Sequence, residues 1–319
     1  EASKAFSKEL MKKYGIPTAD YATFSDAEEA LRYVQTAEIP LVVKASGLAL
    51  GKGVLICKTR QQAKDAVRQI MVDKAFGAAG ETVVIEEFLE GPEISVLTFT
   101  DSHTILPMAS AQDHKRARDN DEGLNTGGMG TFSPSKQYTP KVQEQVEREI
   151  IFPTLDALNA EGRPFKGVIF FGLMLTQKGP KLLEYNARFG DPEAQSVLFR
   201  MKNDLLEIFE AVIDERLQEI QLEFEEGAAV CVVMASGGYP EHYEKGKEIT
   251  GLEDVSPEVM VFHAGTKMEN GKFYTSGGRV LGVVAKGEDI QAARKIAYEN
   301  VEKIHFEGAQ YRKDIGIKK

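Results

Sequence analysis

The segment "LLEYNARFGDPE", residues 182 to 193, places a carboxylate, an amide and a guanidinium two residues apart, as Glu184, Asn186 and Arg188. In an extended strand, residues two apart share a face, so the three side chains point the same way while Leu183, Tyr185 and Ala187 point the other. Glu184 and Asn186 are hard oxygen donors of the kind that hold Mg²⁺ already bound by phosphates. Arg188 adds a fixed positive charge suited to stabilising a phosphoryl group in transfer. Three such groups on an inward face are expensive to bury unless a ligand answers them.

A second candidate is "KASGLALGKGV", residues 44 to 54, behind the apolar run "IPLVV". A Walker loop needs four residues between its first glycine and Gly-Lys, then a hydroxyl residue and a helix. Here three residues separate Gly47 from Gly51, Gly53 replaces the hydroxyl, and "VLICK" continues as strand. A glycine loop between two antiparallel strands can still close over phosphates, with Gly47, Gly51 and Gly53 admitting oxygen close to backbone N–H groups and Lys52 adding charge. Lys44, in the strand before the loop, faces solvent or a buried anion, and the neighbouring loop favours the anion. In "VIEEFLEGPEIS", Glu86, Glu87 and Glu93 interrupt an apolar strand and its exit. A chain leaving such a strand can offer backbone groups to a base edge and a carboxylate to ribose hydroxyls; a charged edge strand is the plain alternative.

Elements that must position these groups follow from periodicity. "SKAFSKELMKKY" predicts a helix with Phe6, Leu10 and Met11 on one face and Gly15 as its stop, and "DAEEALRYVQTA" a second. "PLVVKAS", "VLICKT" and "TVVIEEFL" read as strands, with "RQQAKDAVRQIMVDKAF" helical between the last two. "EISVLTFTDSHTILPMA" predicts a hairpin turning at Asp101-Ser102, and "GVIFFGLMLTQ" pairs with "GPKLLEYNARFG" across Lys178-Gly179. Residues 112 to 135 carry no periodicity and predict a long loop, which in a compact domain is functional or disordered. "KVQEQVEREIIFPTLDALNAEG" predicts a helix bent at Pro153, and "DLLEIFEAVIDERL" another. From about Gly227, "AAVCVVMASGGYP", "VMVFHAGTK", "RVLGVVAKG" and "IQAARKIAYENVEKI" predict a separate small α/β domain.

The 319 residues suffice for two or three domains, and 39 Lys and Arg against 49 Asp and Glu give a net charge of −10. That charge disfavours nucleic acid and anionic membranes as partners. Its one short basic run, "HKRAR" at 114 to 118, is followed at once by "DNDE". Cys57 and Cys231 sit in apolar strand-like runs and read as reduced core residues, which suits the cytoplasm.

Together, "KASGLALGKGV", "VIEEFLEG", "QDHKR", "NTGGMG", "LLEYNARFGDPE", "HAGT" and "GGRVLGVVA" resemble the ATP-grasp ligases, and among them the phosphoribosylamine–glycine ligase family of purine biosynthesis. The resemblance runs over essentially the whole chain. It implies an α/β (α+β) ATP-grasp fold, two sheet-and-helix units clasping ATP, plus a small C-terminal α/β domain. The implied division is a connecting helix at 1–19, a lid at 20–92, a core at 93–225 and the C-terminal domain at 226–319. The Rossmann-like domain that opens this family has no counterpart here.

By the same resemblance, Lys4 and Lys44 contact phosphates, the 47–53 loop closes over them, the backbone of Glu86, Glu87, Phe88 and Leu89 binds adenine, and Glu93 binds ribose. Glu184 and Asn186 hold Mg²⁺ or Mn²⁺, and Arg188, Lys44 and Lys4 serve transfer. Asp113, Lys115, Asn125, Thr126, Gly127, Gly128 and Met129 line the acceptor side for glycine and 5-phosphoribosylamine. Asp191 and Glu193 meet the amine substrate, although Asp191-Pro192 also reads as a helix N-cap followed by N1. Arg279 reaches the ribose phosphate. The implied reaction needs no protein nucleophile, and fusion to other purine-pathway domains is a further expectation. Two alternatives stay open: a bicarbonate-activating relative, such as a biotin-carboxylase-like enzyme or an aminoimidazole ribonucleotide carboxylase, and a non-catalytic nucleotide-binding module. Glycine-dependent ADP release separates the first from the ligase, and retention of Lys4, Lys44, Glu184, Asn186 and Arg188 together speaks against the second.

Overall fold

The computed structural model describes residues 2–49 and 53–317. The chain forms two compact units, and it passes between them several times. One comprises residues 1–93, 100–105 and 139–188, the other 94–99, 106–138 and 189–319.

The first unit contains a four-stranded antiparallel sheet in the order Tyr21–Phe24, Val83–Glu87, Leu41–Ala45, Val54–Cys57. Strand alternation sorts its faces. Leu41, Val43, Ala45, Val83 and Ile85 join a buried cluster with Ala30, Val34, Ala63, Val67 and Ile70 from the helices Ala27–Thr36 and Arg60–Val67 and the π-helical turn that follows. The opposite face carries Lys44 and Glu86, diagonal neighbours because Val42 pairs with Glu86 and Lys44 with Val84. The sequence puts a capping box at Thr59 and Gln62 and an Asp26 N-cap at these helices, so both start where the pattern predicts.

Lys4–Lys13 forms the first helix, capped by Ser3, whose side chain accepts from the Phe6 N–H at 3.1 Å. Its buried stripe is not the one that apolar residues alone suggest: Ser7 and Lys8 are buried beside Leu10 and Met11. The hairpin Lys166–Thr176 with Gly179–Asn186 is antiparallel and carries a bulge at Gly172/Leu173. Gly172 lies opposite Glu184, and a Cβ there would stand 3.2 Å from Glu184 Cγ, so the glycine leaves room for the carboxylate arm. The strand ends at Asn186, so Arg188 lies beyond it rather than in it, as alternation alone had assumed. The predicted long helix is Pro140–Val146, a π-helical stretch Glu147–Ile151, and Phe152–Ala160. The register changes just ahead of Pro153, which has no N–H to give to the carbonyl four residues back. The turn at 101–102 forms with Ser102 at φ 78°, Thr100 Oγ1 donating to the Thr104 carbonyl at 2.8 Å.

In the second unit a five-stranded antiparallel sheet runs Met260–His263, Arg279–Gly287, Ala228–Ala235, Gly130–Ser133, Gln112–Asp113. The residues 112 to 135 are therefore not a loop. They hold two outer strands of this sheet and a separate two-stranded ribbon, Arg116–Arg118 with Glu122–Asn125. Such short strands carry too few residues to display a period, and Gly130–Ser133 finds one of its partners a hundred residues away. Helix Ile290–Val301 packs Ile290, Ala293, Ala297 and Val301 against Val230, Val232, Val283 and Ala285 of the sheet. Phe199, which caps the short helix Glu193–Leu198, packs on Ala229, Cys231, Val233 and Val284. "VMVFHAGTK" splits into Met260–His263 and Thr266–Glu269, the latter joining a three-stranded sheet with Lys272–Thr275 and Glu248–Ile249.

Arg312, 1% exposed, anchors the tail of this unit to the ribbon. Its guanidinium donates to Asp314 at 2.7 and 2.6 Å, to Asp121 at 2.8 Å and to the Arg116 carbonyl at 3.2 Å. Asp119 and Asp314 accept in turn from the Lys313 and Asn120 N–H groups. Arg312→Met is expected to destabilise the protein by about 2–4 kcal/mol, since it strands carboxylates built around a buried cation. Hydrogen exchange should show residues 116–125 opening first, and unchanged protection there would contradict the anchoring role.

Candidate functional site

In the first unit, a cavity of about 310 Å³ brings together Lys4, Lys44, Gly53 and Glu86 of the predicted nucleotide residues with Glu184, Asn186 and Arg188, while Gly47, Glu87, Phe88, Leu89 and Glu93 do not line it. The helix contributes Lys4, Ser7, Lys8 and Met11, spaced as one helical stripe; the sheet contributes Lys44 and Glu86; the hairpin contributes Glu184, Asn186 and Arg188. Leu48, Ala49 and Gly53 of the glycine loop also line it. Gly51 and Lys52 lie outside the described residues.

The electrostatic centre is Glu86, 3% exposed. Its Oε2 accepts from Lys44 Nζ at 2.9 Å and from Lys8 Nζ at 3.2 Å. Lys8 also donates to Thr18 Oγ1 at 2.7 Å, and Thr18 donates to the Leu182 carbonyl at 2.6 Å. Burial pushes the Lys8 pKa down to about 8, with Glu86 opposing the fall. Lys44 additionally approaches the Leu183 carbonyl at 3.4 Å. The sequence reading assigned Glu86 through its backbone and had no role for its side chain or for Lys8. An amphipathic-helix lysine ordinarily reaches solvent, and only the Thr18 and Glu86 contacts reveal this one as buried.

Lys4 Nζ reaches the Gly47 carbonyl at 3.2 Å, and the Lys4 N–H donates to the Ser46 carbonyl at 2.8 Å. Gly47 donates its own N–H to the Ala79 carbonyl at 3.0 Å, and a Cβ on Gly47 would stand 2.6 Å from Ala79 Cα. A Cβ on Gly53 would meet Ala49 Cβ at 2.6 Å. Close packing of the loop thus explains these two glycines. At the end of the strand, Glu87 accepts from the Asp20 N–H at 3.0 Å and from Lys181 at 2.5 Å, and beyond it Leu89 is buried with Ala19 and Met174. Phe88 and Glu93 are partly exposed.

Arg188 Nη2 lies 3.4 Å from Asn186 Oδ1. Glu184 and Asn186 offer two oxygen donors, and among the described residues no cluster of three or more His, Cys, Asp or Glu side chains could hold a metal by itself. The donor set therefore fits a hard cation that brings water and phosphate oxygens as its remaining ligands.

The residues predicted for the acceptor side lie in the second unit. Thr126 donates its N–H and hydroxyl to the Lys115 carbonyl at 2.7 and 2.8 Å, and Met129 donates to the His114 carbonyl at 2.9 Å, so "NTGGMG" is zipped along "QDHK". Gly128 sits at φ +114°, and a Cβ there would stand 2.4 Å from Pro192 Cδ and 2.8 Å from Asp113 Oδ1. Asn125 is exposed and Met129 fully buried. Arg279 donates to the Gly127 carbonyl at 2.7 Å, the Asp191 carbonyl at 2.8 Å and Asp191 Oδ2 at 3.1 Å. It bridges two predicted substrate segments. Tyr239, which sequence reasoning passed over, accepts from the Gly127 N–H at 3.0 Å. Asp191 is not the helix N-cap: Pro192 holds that position with no side-chain cap, and Asp191 Oδ1 accepts from Gln195 Nε2 at 3.0 Å. Glu193, 4% exposed, accepts from Ser95 Oγ at 2.9 Å.

Residues 2–194 match the family model described as phosphoribosylglycinamide synthetase, ATP-grasp (A) domain, and residues 229–318 match the C domain of the same synthetase. The chain belongs to this family. A phosphoribosylamine–glycine ligase of Fusobacterium nucleatum is 49% identical over 319 residues, covering 99% of this chain and 75% of that protein. The trifunctional purine biosynthetic protein adenosine-3 of Gallus gallus is 50% identical over 321 residues, all of this chain and 32% of that protein. Among solved structures, the phosphoribosylamine–glycine ligase of Thermotoga maritima superposes with a TM-score of 0.88 at 38% identity, over 99% of this chain and 78% of that one. The biotin carboxylase domain of a Hydrogenobacter thermophilus 2-oxoglutarate carboxylase, at 20% identity and a TM-score of 0.71 over 97% of this chain and 67% of that one, shares the fold. The expected ATP-grasp architecture and ligase family are thereby established. No helix among the described residues is long and apolar enough to cross a membrane.

Burial raises the Glu193 pKa above the ordinary carboxylate value, against the bond from Ser95 and the charge of Lys115, and Asp191 adds to the rise. The folded state therefore holds this proton more tightly than the unfolded chain. Its contribution to stability is full below the unfolded value and is lost as pH rises through the folded one. Glu193→Gln, which keeps an acceptor for Ser95, is expected to melt at or above the parent temperature at pH 7 and to lose that advantage near pH 4. A markedly lower melting temperature at pH 7 would sink this reading.

Proposed function

We propose that the chain performs its family's reaction, joining glycine to 5-phosphoribosylamine with cleavage of ATP. Glycine's carboxylate attacks the γ-phosphate to give glycyl phosphate and ADP. The amine of 5-phosphoribosylamine then attacks the carbonyl, forming glycinamide ribonucleotide and releasing phosphate. The observation that carries this reading is the cavity in which Lys4, Lys44, Glu184, Asn186 and Arg188 converge, within a chain of this family. Phosphoryl transfer by positioning and charge neutralisation asks for these groups and for no nucleophile from the protein.

In this reading Lys4 and Lys44 neutralise the phosphates, the backbone from Glu86 to Leu89 holds adenine, and Glu93 holds ribose. Arg188 sits beside Asn186 to stabilise the phosphoryl group in flight. Glu184 and Asn186 would hold Mg²⁺ or Mn²⁺, which neutralises phosphate charge when bound. Asp113, Lys115 and the 125–129 turn recognise the acceptors, with Asp191 and Glu193 toward the amine and Arg279 toward the ribose phosphate. The lid, core and C-terminal assignments at 20–92, 93–225 and 226–319 belong to the same reading. Two buried, reduced cysteines accord with a cytoplasmic setting. The chicken relative supports fusion to other purine enzymes as one setting of this domain pair.

The test is phosphate release with glycine and phosphoribosylamine added singly and together. Full turnover only with both supports the ligase; bicarbonate-dependent turnover without glycine would assign the chain to a carboxylase class, and nucleotide binding without any turnover would leave the non-catalytic module. Glu184→Ala is expected to cut metal-dependent turnover at least about a hundredfold, and normal turnover would remove Glu184 from the metal site. Lys44→Ala should weaken ATP binding by about tenfold or more while leaving glycine binding nearly unchanged. Calorimetry giving the reverse order would move Lys44 out of the phosphate site.

A further inference from the structure

Two ammonium groups share one carboxylate oxygen in the cavity, so Lys8, Lys44 and Glu86 together carry one net positive charge. The two lysines are held by different sets of contacts. Lys8 is 2% exposed, donates to Thr18 Oγ1 at 2.7 Å, and lies over the Tyr21 ring at 5.8 Å from its centroid. Lys44 is held by Glu86 and by a long 3.4 Å contact to the Leu183 carbonyl. Glu86 Oε1 is buried and has no hydrogen-bond partner, so the carboxylate depends on what sits at Oε2.

An anion that competes with Glu86 for the Lys44 ammonium draws it toward itself and weakens its hold on that carboxylate. Were Lys44 its only partner, that move would leave a buried carboxylate uncompensated, at a cost of several kcal/mol. Lys8 removes the penalty by staying on Oε2 while Lys44 turns. We infer that Lys8 is a positioning residue that frees Lys44 for an anionic phosphate by keeping Glu86 paired. The inference rests on the nucleotide reading of the cavity, and it adds a residue with no other task in that reading. Lys8 itself acts through Glu86.

A charge-relay role of this kind predicts effects of opposite sign, which a packing role does not. Calorimetric titration with ADP and with adenosine checks it, on the parent, Lys8→Gln, Glu86→Gln, the double variant and Lys44→Met, with a melting curve for each. Glutamine at position 8 keeps a donor for Thr18 and removes the charge. Lys8→Gln is expected to weaken ADP about tenfold or more and leave adenosine unchanged. Glu86→Gln should bind ADP at least as tightly as the parent. The double variant, in which Lys44 has no buried carboxylate to leave, should return to within about threefold of the parent, a non-additivity that a shared charge network requires. Equal weakening of ADP and adenosine by Lys8→Gln, or a double variant as weak as the two losses combined, would overturn the inference. If Glu86→Gln does not fold, the contrast between ADP and adenosine in Lys8→Gln decides alone. Loss of ADP binding in Lys44→Met with normal binding in Lys8→Gln would overturn the role of Lys8 only. Normal ADP binding in Lys44→Met would instead remove the nucleotide reading beneath it.

Discussion

The carboxylate of Glu86 lies out of water with both Lys8 and Lys44 on one oxygen, and much of the first unit is arranged around that fact. Removing three charges from water is costly, and mutual attraction offsets the cost only with close geometry and further hydrogen bonds. Each neighbouring element supplies part of the geometry. Strand pairing sets Lys44 diagonal to Glu86, the Ser3-capped helix delivers Lys8 one turn beyond Lys4, and Thr18 links the Lys8 ammonium to the backbone of the hairpin that carries Glu184 and Asn186. The same contacts that make the cluster tolerable therefore fix where the putting of charge can occur: a buried positive excess beside two oxygen donors and a guanidinium.

The second unit solves a different problem, holding an irregular polar segment in one shape without a long strand or helix. Its means are close approach and buried hydrogen bonds. Gly128 admits the Pro192 ring and the Asp113 carboxylate where no side chain would fit, and a Cβ on Gly130 would stand 2.5 Å from the Cys231 carbonyl. Thr131 Oγ1 donates to the Pro192 carbonyl at 2.9 Å, tying the strand after the turn to the start of the next helix. Arg279 and Tyr239 hold Gly127 from opposite sides of its peptide chemistry, one taking the carbonyl and the other the N–H. A segment so fastened has lost its conformational entropy during folding, so a ligand bound there would cost little further ordering.

What could be read from the sequence follows the range of the interactions involved. Period-two alternation placed Glu184 with Asn186, because that relation is written within a few neighbouring residues. Motif resemblance named the segments of the acceptor side. The pairing of Lys8 with Glu86 was not legible, since nothing near Lys8 in the chain marks it as buried, and its partners arrive from residues 18 and 86. Of the strands inside residues 112 to 135, Gly130–Ser133 was missed for the same reason, since Thr131 pairs with Cys231, a hundred residues on, and the others are too short to show a period. Arg188 lines the same cavity as Glu184 and Asn186 although the strand assumed to carry it stops at Asn186, the guanidinium lying beside the Asn186 amide.

The glycines show how one residue type serves different needs in neighbouring motifs. "KASGLALGKGV" suggests backbone N–H groups bared for phosphate, yet the Gly47 N–H is already committed to Ala79, and its missing side chain is what lets the loop lie against that residue. At Gly128 the requirement is doubled, because a positive φ of 114° and a 2.4 Å approach both exclude a Cβ. Gly172 needs neither a turn nor a left-handed backbone; it yields space to the Glu184 side chain across the hairpin. A glycine-rich signature is thus a statement about crowding as much as about flexibility.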